Sequence, residues 1–191
     1  MEFDLVVEKR KSVHSFKNKK VDWRDILESV DAACQGPFAD SRNNLKFLII
    51  EEPKKIEKIA EFSDQTWIGE SQILVVVCSD DTHLENMHGE RGRVYSRQQA
   101  GSAIITFILK LTDLGLSSCW VGSYKDELVK QFLKIPSHIQ IEAIIPIGHE
   151  SAKSKKKKKK ELEHSIFWEE WDKRRRPSLI QEGPDIYSVS G

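Results

Sequence analysis

The chain has 191 residues, and lysine plus arginine equal aspartate plus glutamate at 30 each, so its formal net charge is zero. This length suits one domain with a genuine core, and the balanced charge argues against attraction to nucleic acid or a membrane surface. Three scattered cysteines, an odd number, argue against a disulfide framework or a zinc knuckle. The apolar stretches are too short for a signal peptide or a membrane span, so we expect a soluble cytoplasmic protein.

The first half of the sequence predicts three helices and one strand. Apolar residues at helical spacing predict a short helix at the start of the chain (Phe3, Val6 and Val7). A second helix runs from Asp22, which can act as its N-cap, to about Cys34, and Gly36-Pro37 ends it. Leu45–Ile50 then has the pattern of a buried strand, and Pro53–Phe62 that of a helix with proline in its first turn.

The second half alternates strands and helices. Ile73–Cys78 predicts a buried strand, and the polar stretch His83–Arg93 predicts a loop or mobile excursion. The next helix, about Tyr95 to Leu114, is apolar on more than one face, with Gly115 as a C-cap candidate. The remaining elements are predicted as strand, helix and strand, at Ser117–Val121, Leu128–Leu133 and Gln140–Ile147. Such a mixture predicts an α+β layered domain.

The composition changes after residue 150. A lysine run at Lys155–Lys160 repels itself and should not pack, and the apolar cluster Phe167, Trp168 and Trp171 that follows needs a partner surface. We therefore expect a core over residues 1–150 and a lysine-rich tail over 151–176. The tail would belong to the same domain and pack on a second subunit. The last residues, 177–191, are expected to be loosely ordered.

A basic segment near the start is the first candidate for a binding site. Residues 8–16, EKRKSVHSF, place Arg10, Lys11, Ser12 and His14 close together. Arginine can grip a phosphate with two hydrogen bonds, lysine adds a mobile charge, and serine a short hydroxyl donor. A phosphate monoester carries close to two charges and several acceptor oxygens, so it suits this mixture. A solvated basic turn would have the same composition, and that alternative stays open.

Four segments together carry a resemblance to a known family. They are RKSVHSF at residues 10–16, GPFADSRNNLKF at 36–47, GLSSCWVG at 115–122 and IPIG at 145–148. In this order and spacing the chain resembles the nitroreductase family of FMN-dependent oxidoreductases, in its short form, from about Met1 to Trp171. The resemblance implies an α/β/α sandwich with a mainly antiparallel central sheet. It also implies a homodimer with FMN at the subunit interface, and a C-terminal extension that packs on the partner.

The family pattern near the start is roughly R-R-S-x-R-x-F. Arg10, Ser12 and Phe16 match it, Lys11 is a basic replacement, and His14 stands where a second arginine is usual. The resemblance implies that Arg10, Lys11, Ser12 and His14 hold the phosphate and the flavin edge of FMN. Lys11 or His14 would supply a charge that tunes the flavin, with Lys11 preferred.

The second segment resembles the family pattern P-S-A-x-N-x-Q-x-W-x-F with several departures. Pro37 and Ala39 match it, whereas Phe38, Ser41 and Asn43 replace other residues. By resemblance this loop runs along the isoalloxazine ring, and Ser41 and Asn43 can still donate hydrogen bonds. A simple helix-to-strand turn with a local Asx hydrogen bond is the alternative.

The last candidates lie in the second half of the chain. The resemblance implies flavin contacts from the third and fourth segments, at Cys119, Trp120, Gly122, Pro146, Ile147 and Gly148. It also implies two phosphate-binding lysines in the lysine run, at Lys157 and Lys159. From the residues alone, Cys119 and Trp120 are core positions, Pro146-Ile147-Gly148 is a strand end, and the lysines form a solvated linker. The histidines show no metal-like spacing, so no metal site is predicted.

The implied activity is a ping-pong oxidoreductase. NADH or NADPH would reduce FMN and leave, and a small acceptor such as a nitro compound, quinone or flavin would then take the electrons. A dehalogenase or specialised dehydrogenase of the same fold and a non-catalytic FMN-binding module remain alternatives. A nucleic-acid-binding protein is disfavoured by the zero net charge.

Overall fold

In the computed structural model, which describes residues 1–151 and 165–174, the chain divides into two units, Met1–Ser154 and Lys155–Gly191. The first unit alternates helices and strands in the order α1 Phe3–Lys9, β1 Phe16–Lys17, α2 Trp23–Cys34, β2 Leu45–Ile50, α3 Pro53–Phe62, β3 Ile73–Ser79, α4 Thr82–His88, α5 Glu90–Asp113, β4 Ser117–Ser118, α6 Asp126–Leu133 and β5 Gln140–Glu150. Two 3₁₀ turns, Ala39–Ser41 and Thr66–Glu70, complete it. None of the helices in the described part of the chain is long and apolar enough to cross a membrane.

The strands form one antiparallel sheet in the order β1-β5-β3-β2, with β4 also paired to β5. The central strand β3 is buried on both faces, and its side chains alternate between two cores as the period of a strand requires. Ile73, Val75 and Val77 join the core that contains α2 and α5. Leu74 and Val76 join the core that contains α3 and Val129 of α6. The predicted α+β sandwich, with helices on both faces of a mainly antiparallel sheet, is confirmed.

Helix boundaries follow local signals where the sequence supplies them. The side chain of Asp22 accepts a hydrogen bond from the amide of Arg24 at 2.9 Å, as an N-cap does. At the end of α5, Gly115 adopts a φ of +80°, so the predicted glycine stop is confirmed. The most apolar helix is packed on several sides, and Phe107 and Leu111 are fully buried.

The predicted loop at His83–Arg93 is wrong, because this stretch forms α4 and the first turn of α5. Most of its polar residues are exposed, and the residues of this stretch that are buried are Leu84 and Gly92. An ideal Cβ on Gly92 would lie 2.0 Å from the carbonyl oxygen of Leu84, so glycine alone permits this contact between α4 and α5. Gly89, with a φ of +58°, separates the two helices.

The predicted strand Ser117–Val121 is shorter than expected. Only Ser117–Ser118 pairs regularly with β5, and Val121 rejoins it through an isolated bridge to Ile144. Between them the Cys119 amide donates to the Pro146 carbonyl at 3.3 Å. Pro146 has no N–H to return a hydrogen bond, so the ladder is interrupted at this position.

The described part of the second unit, residues 165–174, contains a small aromatic group. The ring centroids of Phe167 and Trp171 are 4.8 Å apart, and the Arg174 guanidinium lies 5.4 Å from the Phe167 ring centroid. Lys173 and Glu170 form an ion pair at 2.9 Å. Whether these residues pack on a second subunit stays a prediction.

Candidate functional site

The basic N-terminal segment is added to the edge of the sheet. Ser12 forms a parallel bridge with Ser118, and the amide of Val13 donates to the Ser118 carbonyl at 3.1 Å. A few residues later, Phe16 and Lys17 pair with the end of β5. The structure therefore brings together the first, third and fourth of the segments that carry the family resemblance, although more than 100 residues separate the first from the other two.

The extended segment sorts its side chains onto two sides. Val13 is buried, whereas Ser12 and His14 on either side of it are exposed. Lys11 shares the side of Val13, where both line a cleft of about 300 Å³ and Lys11 pairs with Glu150 at 2.9 Å. Because successive side chains of an extended chain point in opposite directions, Ser12 and His14 face away from Lys11.

Cys119 lies against the side formed by Ser12 and His14. Its sulfur is 3.5 Å from Nε2 of His14. Burial raises the pKa of the Cys119 thiol, while a hydrogen bond with Ser12 and the nearby charge of Arg10 oppose that rise. The thiol is therefore neutral at physiological pH, and Arg10, Ser12 and His14 surround it.

Two tryptophans border the same place. The Trp67 ring meets the His14 ring edge-on, with centroids 4.5 Å apart. Trp120 follows Cys119 and is 41% exposed, a large fraction for an indole ring. We refer to Arg10, Ser12, His14, Trp67, Cys119 and Trp120 together as the edge cluster. Sequence reasoning missed Trp67, because a single tryptophan in a polar turn gives no signal of what it will contact.

The remaining predicted contacts on this side differ in what they offer a ligand. Pro146 and Ile147 are fully buried within β5, and Ile147 belongs to the core. Gly148 lies against Phe16, where an ideal Cβ would be 2.8 Å from Cδ1 of that ring. Gly122 is exposed and a Cβ there would meet nothing within 4 Å. Their contacts with a flavin stay predictions, and Lys157 and Lys159 lie outside the described residues.

The loop over residues 37–43, which we call the 37–43 loop, is held mainly by α5, with one further contact from the end of α4. The Ala39 amide donates to the side-chain oxygen of Gln99 at 3.0 Å, and Asp40 pairs with Nε2 of His88 at 2.9 Å. Asp40 and Ser41 both adopt the left-handed conformation, with φ of 53° and 55°. Pro37 and Ala39 border a small cleft of about 200 Å³ against the same helix.

Two residues of the 37–43 loop, Phe38 and Asn43, make contacts within the protein. Phe38 packs against the core. The side-chain oxygen of Asn43 accepts a hydrogen bond from the amide of Leu45 at 2.9 Å, which is a local Asx turn. Of the two predicted donors of this stretch, the amide nitrogen of Asn43 and the exposed Ser41 hydroxyl could still serve a ligand.

The 37–43 loop and the N-terminal basic segment meet α5 at different places along the helix. The 37–43 loop contacts Gln99, whereas the cleft on the Lys11 side of the N-terminal segment is lined by Thr112 near the end of the helix. Thirteen residues of helix correspond to about 20 Å along its axis. One subunit therefore offers two separate surfaces, one basic and aromatic, the other formed by loop backbone.

The edge cluster combines the groups that a phosphorylated aromatic ligand requires. Arg10 supplies a forked cation, and Ser12 and His14 supply a hydroxyl and a ring N–H next to it. Trp67 and Trp120 supply apolar ring surface beside these polar groups. The composition of the edge cluster therefore suits an anionic, planar ligand, on an α/β/α sandwich.

Similarity to known proteins makes this class more specific. The model of the nitroreductase family matches residues 61–149. An iodotyrosine deiodinase of Thermotoga neapolitana is 26% identical over 165 residues, covering 78% of this chain and 88% of that protein. A protein of Methanothermobacter thermautotrophicus, provisionally named an NADH dehydrogenase/NAD(P)H nitroreductase, is 25% identical over 75% of this chain and 74% of its own length.

A solved structure shows the same fold. The FMN-dependent nitroreductase of Clostridium difficile R20291 superposes with a TM-score of 0.69 at 20% identity, covering 80% of this chain and 90% of that one. The resemblance to the nitroreductase family that the sequence motifs predicted is confirmed by these comparisons, with the family model matching residues 61–149.

Proposed function

We propose that the protein is an FMN-dependent oxidoreductase that takes a hydride from NADH or NADPH and reduces a small acceptor in a ping-pong cycle. The observation that carries the proposal is the edge cluster, where Arg10, Ser12 and His14 share one side of an extended segment. Similarity to a family of oxidoreductases supports the redox activity. Bound FMN would supply the hydride chemistry, which no side chain of this cluster can perform.

The residues of the edge cluster would bind and orient the cofactor. Arg10 would pair with the phosphate, and the Ser12 hydroxyl and the His14 ring would complete its hydrogen bonds. The neutral Cys119 thiol adds no negative charge beside the phosphate, since burial raises its pKa. Lys11 already pairs with Glu150, so its part in tuning the flavin would require that ion pair to be shared. That role stays a prediction.

A homodimer would unite the two surfaces of the site. In one subunit the 37–43 loop lies about 20 Å along α5 from the cleft formed with Lys11 and Val13 of the N-terminal segment. A two-fold axis can place the loop of one copy over the edge cluster of the other. Exposed apolar side chains on three helices that pack together support such an interface. They are Phe3 and Leu5 of α1, Trp23 and Leu27 of α2 and Ile105 of α5. We further propose that the tail over residues 151–176 packs on the partner.

Reductive dehalogenation is the second candidate activity. The iodotyrosine deiodinase of Thermotoga neapolitana is as similar to this chain as the provisionally named nitroreductase is. A halogenated phenol would then replace the nitro compound or quinone as acceptor. The two activities are distinguished by supplying iodotyrosine or a nitroaromatic to the reduced protein and measuring which one reoxidises the flavin.

The first experiment is the visible absorption spectrum of the purified protein, with the released chromophore identified by chromatography. The proposal expects a yellow protein that yields about one FMN per subunit and is bleached by NADH or NADPH. A protein that binds FMN but is not bleached by either nucleotide is a non-catalytic flavin-binding module. A colourless protein that does not take up added FMN would contradict the proposal.

A further inference from the structure

A buried side chain of α5 holds the backbone of the 37–43 loop. The side-chain oxygen of Gln99 accepts the amide hydrogen of Ala39 at 3.0 Å, and Gln99 is only 5% exposed. This bond fixes the loop one residue before Asp40 and Ser41, which both have left-handed backbone conformations. Left-handed residues other than glycine cost free energy, so the loop requires contacts of this kind to keep its shape.

The other end of the Gln99 amide is also occupied. Its nitrogen donates to the side-chain oxygen of Asn44, and the Asn44 nitrogen donates to Ser96 Oγ at 2.8 Å and to the Asp80 carbonyl at 3.0 Å. The orientation of both amides follows from these bonds, because a flipped amide would place oxygen against oxygen or nitrogen against nitrogen. Gln99 is thus held in the one orientation that presents an acceptor to Ala39.

The chain of hydrogen bonds ends in a group of ions at the edge of the core. Ser96 donates to a carboxylate oxygen of Asp81 at 2.6 Å, and the other oxygen of Asp81 pairs with Arg97. Arg97 also pairs with Glu142 of β5 and donates to the buried hydroxyl of Ser79 at 2.9 Å. The central sheet therefore anchors the position of Gln99 through a network in which Asp81 and Glu142 are about nine-tenths buried and Arg97 reaches the surface.

We propose that Gln99 is a positioning residue for the flavin site, which sets the 37–43 loop in the shape that contacts the ring of FMN. Gln99 does not touch the cofactor in this arrangement but acts through the Ala39 backbone. The inference rests on the proposed function for its link to FMN, whereas the link between Gln99 and the loop rests on the contacts described above.

The chemistry of the side chain makes the proposal specific to glutamine. An amide offers one acceptor to Ala39 and one donor to Asn44, and both partners are satisfied. Ionised glutamate would keep the acceptor but turn a second oxygen toward the Asn44 oxygen. Methionine has similar length and helix propensity but neither hydrogen bond, so Gln99→Met leaves the Ala39 amide without this partner.

The experiment measures the loop and the cofactor separately. Amide hydrogen exchange at Ala39 is followed in the apoprotein of the wild type, Gln99→Met and Gln99→Glu, and the dissociation constant of FMN is measured by quenching of flavin fluorescence. Ser29→Ala is the matched control, because the Ser29 hydroxyl is fully buried and bonds only within its own helix, to the Asp25 carbonyl at 2.7 Å.

For Gln99→Met we expect Ala39 to exchange at least about tenfold faster and FMN to bind about tenfold more weakly, the effect of losing one hydrogen bond of this kind. Gln99→Glu should retain the Ala39 bond in part and give intermediate values, and it serves if Gln99→Met does not fold. Ser29→Ala should change neither measurement.

Two results would overturn the proposal. The first is amide exchange at Ala39 that is unchanged in Gln99→Met. The second is that Gln99→Met binds FMN as tightly as Ser29→Ala does, while the wild type binds FMN well. Failure of the proposed function has a different signature, because the wild type itself would then not bind FMN. The exchange measurement would still decide whether Gln99 holds the loop.

Discussion

The edge cluster and the 37–43 loop reach their positions by different means. The segment that carries Arg10, Ser12 and His14 pairs with β4 and β5 through backbone hydrogen bonds. The 37–43 loop has no strand partner in the described structure and is attached by side chains of two helices, Gln99 of α5 through Ala39 and His88 of α4 through Asp40. One surface is part of the sheet, whereas the other depends on a few particular residues.

This difference determines which substitutions each surface tolerates. Backbone pairing does not depend on the identity of an exposed side chain, so Ser12 and His14 can be replaced without moving the segment that carries them. A loop held by side chains loses its shape when one of them changes. We therefore expect ligand-facing changes in the edge cluster to affect binding alone, and changes around the loop to affect structure as well.

The largest effect is expected for Gly92→Ala, beside the 37–43 loop. A Cβ here would lie 2.0 Å from the Leu84 carbonyl oxygen, so α4 must move off α5. We expect a loss of about 3 kcal/mol in the free energy of unfolding, measured by urea denaturation. Gly101→Ala is the control on the same helix, where a Cβ meets nothing within 4 Å and should stabilise by about 1 kcal/mol.

If Gly92→Ala had the same free energy of unfolding as Gly101→Ala, α4 and α5 would not make the close contact described at Gly92. The same result would remove the reason for a helix at His83–Arg93. The anchoring of the loop by His88, at the end of α4, would then need another explanation.

The second effect concerns the anchoring of the edge cluster. In Gly148→Ala the new Cβ would lie 2.8 Å from Cδ1 of Phe16, a side chain that can shift, so we expect a smaller loss of about 2 kcal/mol. Urea denaturation measures it, and Gly69→Ala is the control because its Cβ would make only an ordinary contact, 3.9 Å from Glu57. Equal stability of the two variants would mean that Phe16 does not pack on Gly148.

The third effect is a loss of FMN affinity without a change in the fold. Arg10→Ala should weaken FMN about tenfold, because it removes a charge-assisted contact with phosphate, while the free energy of unfolding changes by less than about 0.5 kcal/mol. Lys11→Ala should weaken FMN binding less, since Lys11 pairs with Glu150 on the side of the segment opposite Ser12 and His14. The exposed Lys19 supplies a charge-matched control, Lys19→Ala. Full flavin occupancy in Arg10→Ala would mean that the phosphate binds elsewhere.

The smallest expected effect is that two of the three cysteines do not react quickly with a thiol reagent in the native protein. Burial raises the pKa of Cys78 to about 11 and also raises the pKa of Cys119, whereas Cys34 is exposed. A thiol reacts as its thiolate, so at pH 8 a thiol reagent should label only Cys34 quickly and the other two after denaturation. Rapid labelling of Cys119 in the native protein would show that the edge cluster opens, and Cys34→Ser removes the expected signal as a control.

The sequence by itself determined the elements whose signals are local. Leu45–Ile50 and Pro53–Phe62 form with the predicted boundaries, Asp22 caps its helix, and Gly115 ends the long one. Their causes are hydrophobic periodicity, a capping carboxylate and a left-handed glycine, which act over a few residues. The motif at Arg10–Phe16 and the GLSSCWVG segment likewise carried the resemblance to the nitroreductase family that the comparisons support.

Only the tertiary structure decided which residues meet. A helix at His83–Arg93 depends on the approach of Leu84 to Gly92, and the contact of Trp67 with His14 joins residues 53 positions apart. Lys11 and Ser12, adjacent in sequence, lie on opposite sides because the segment between α1 and β1 is extended. Gln99 reaches Ala39 across 60 residues. Such contacts are properties of packing between distant segments, and no local pattern of residues encodes them.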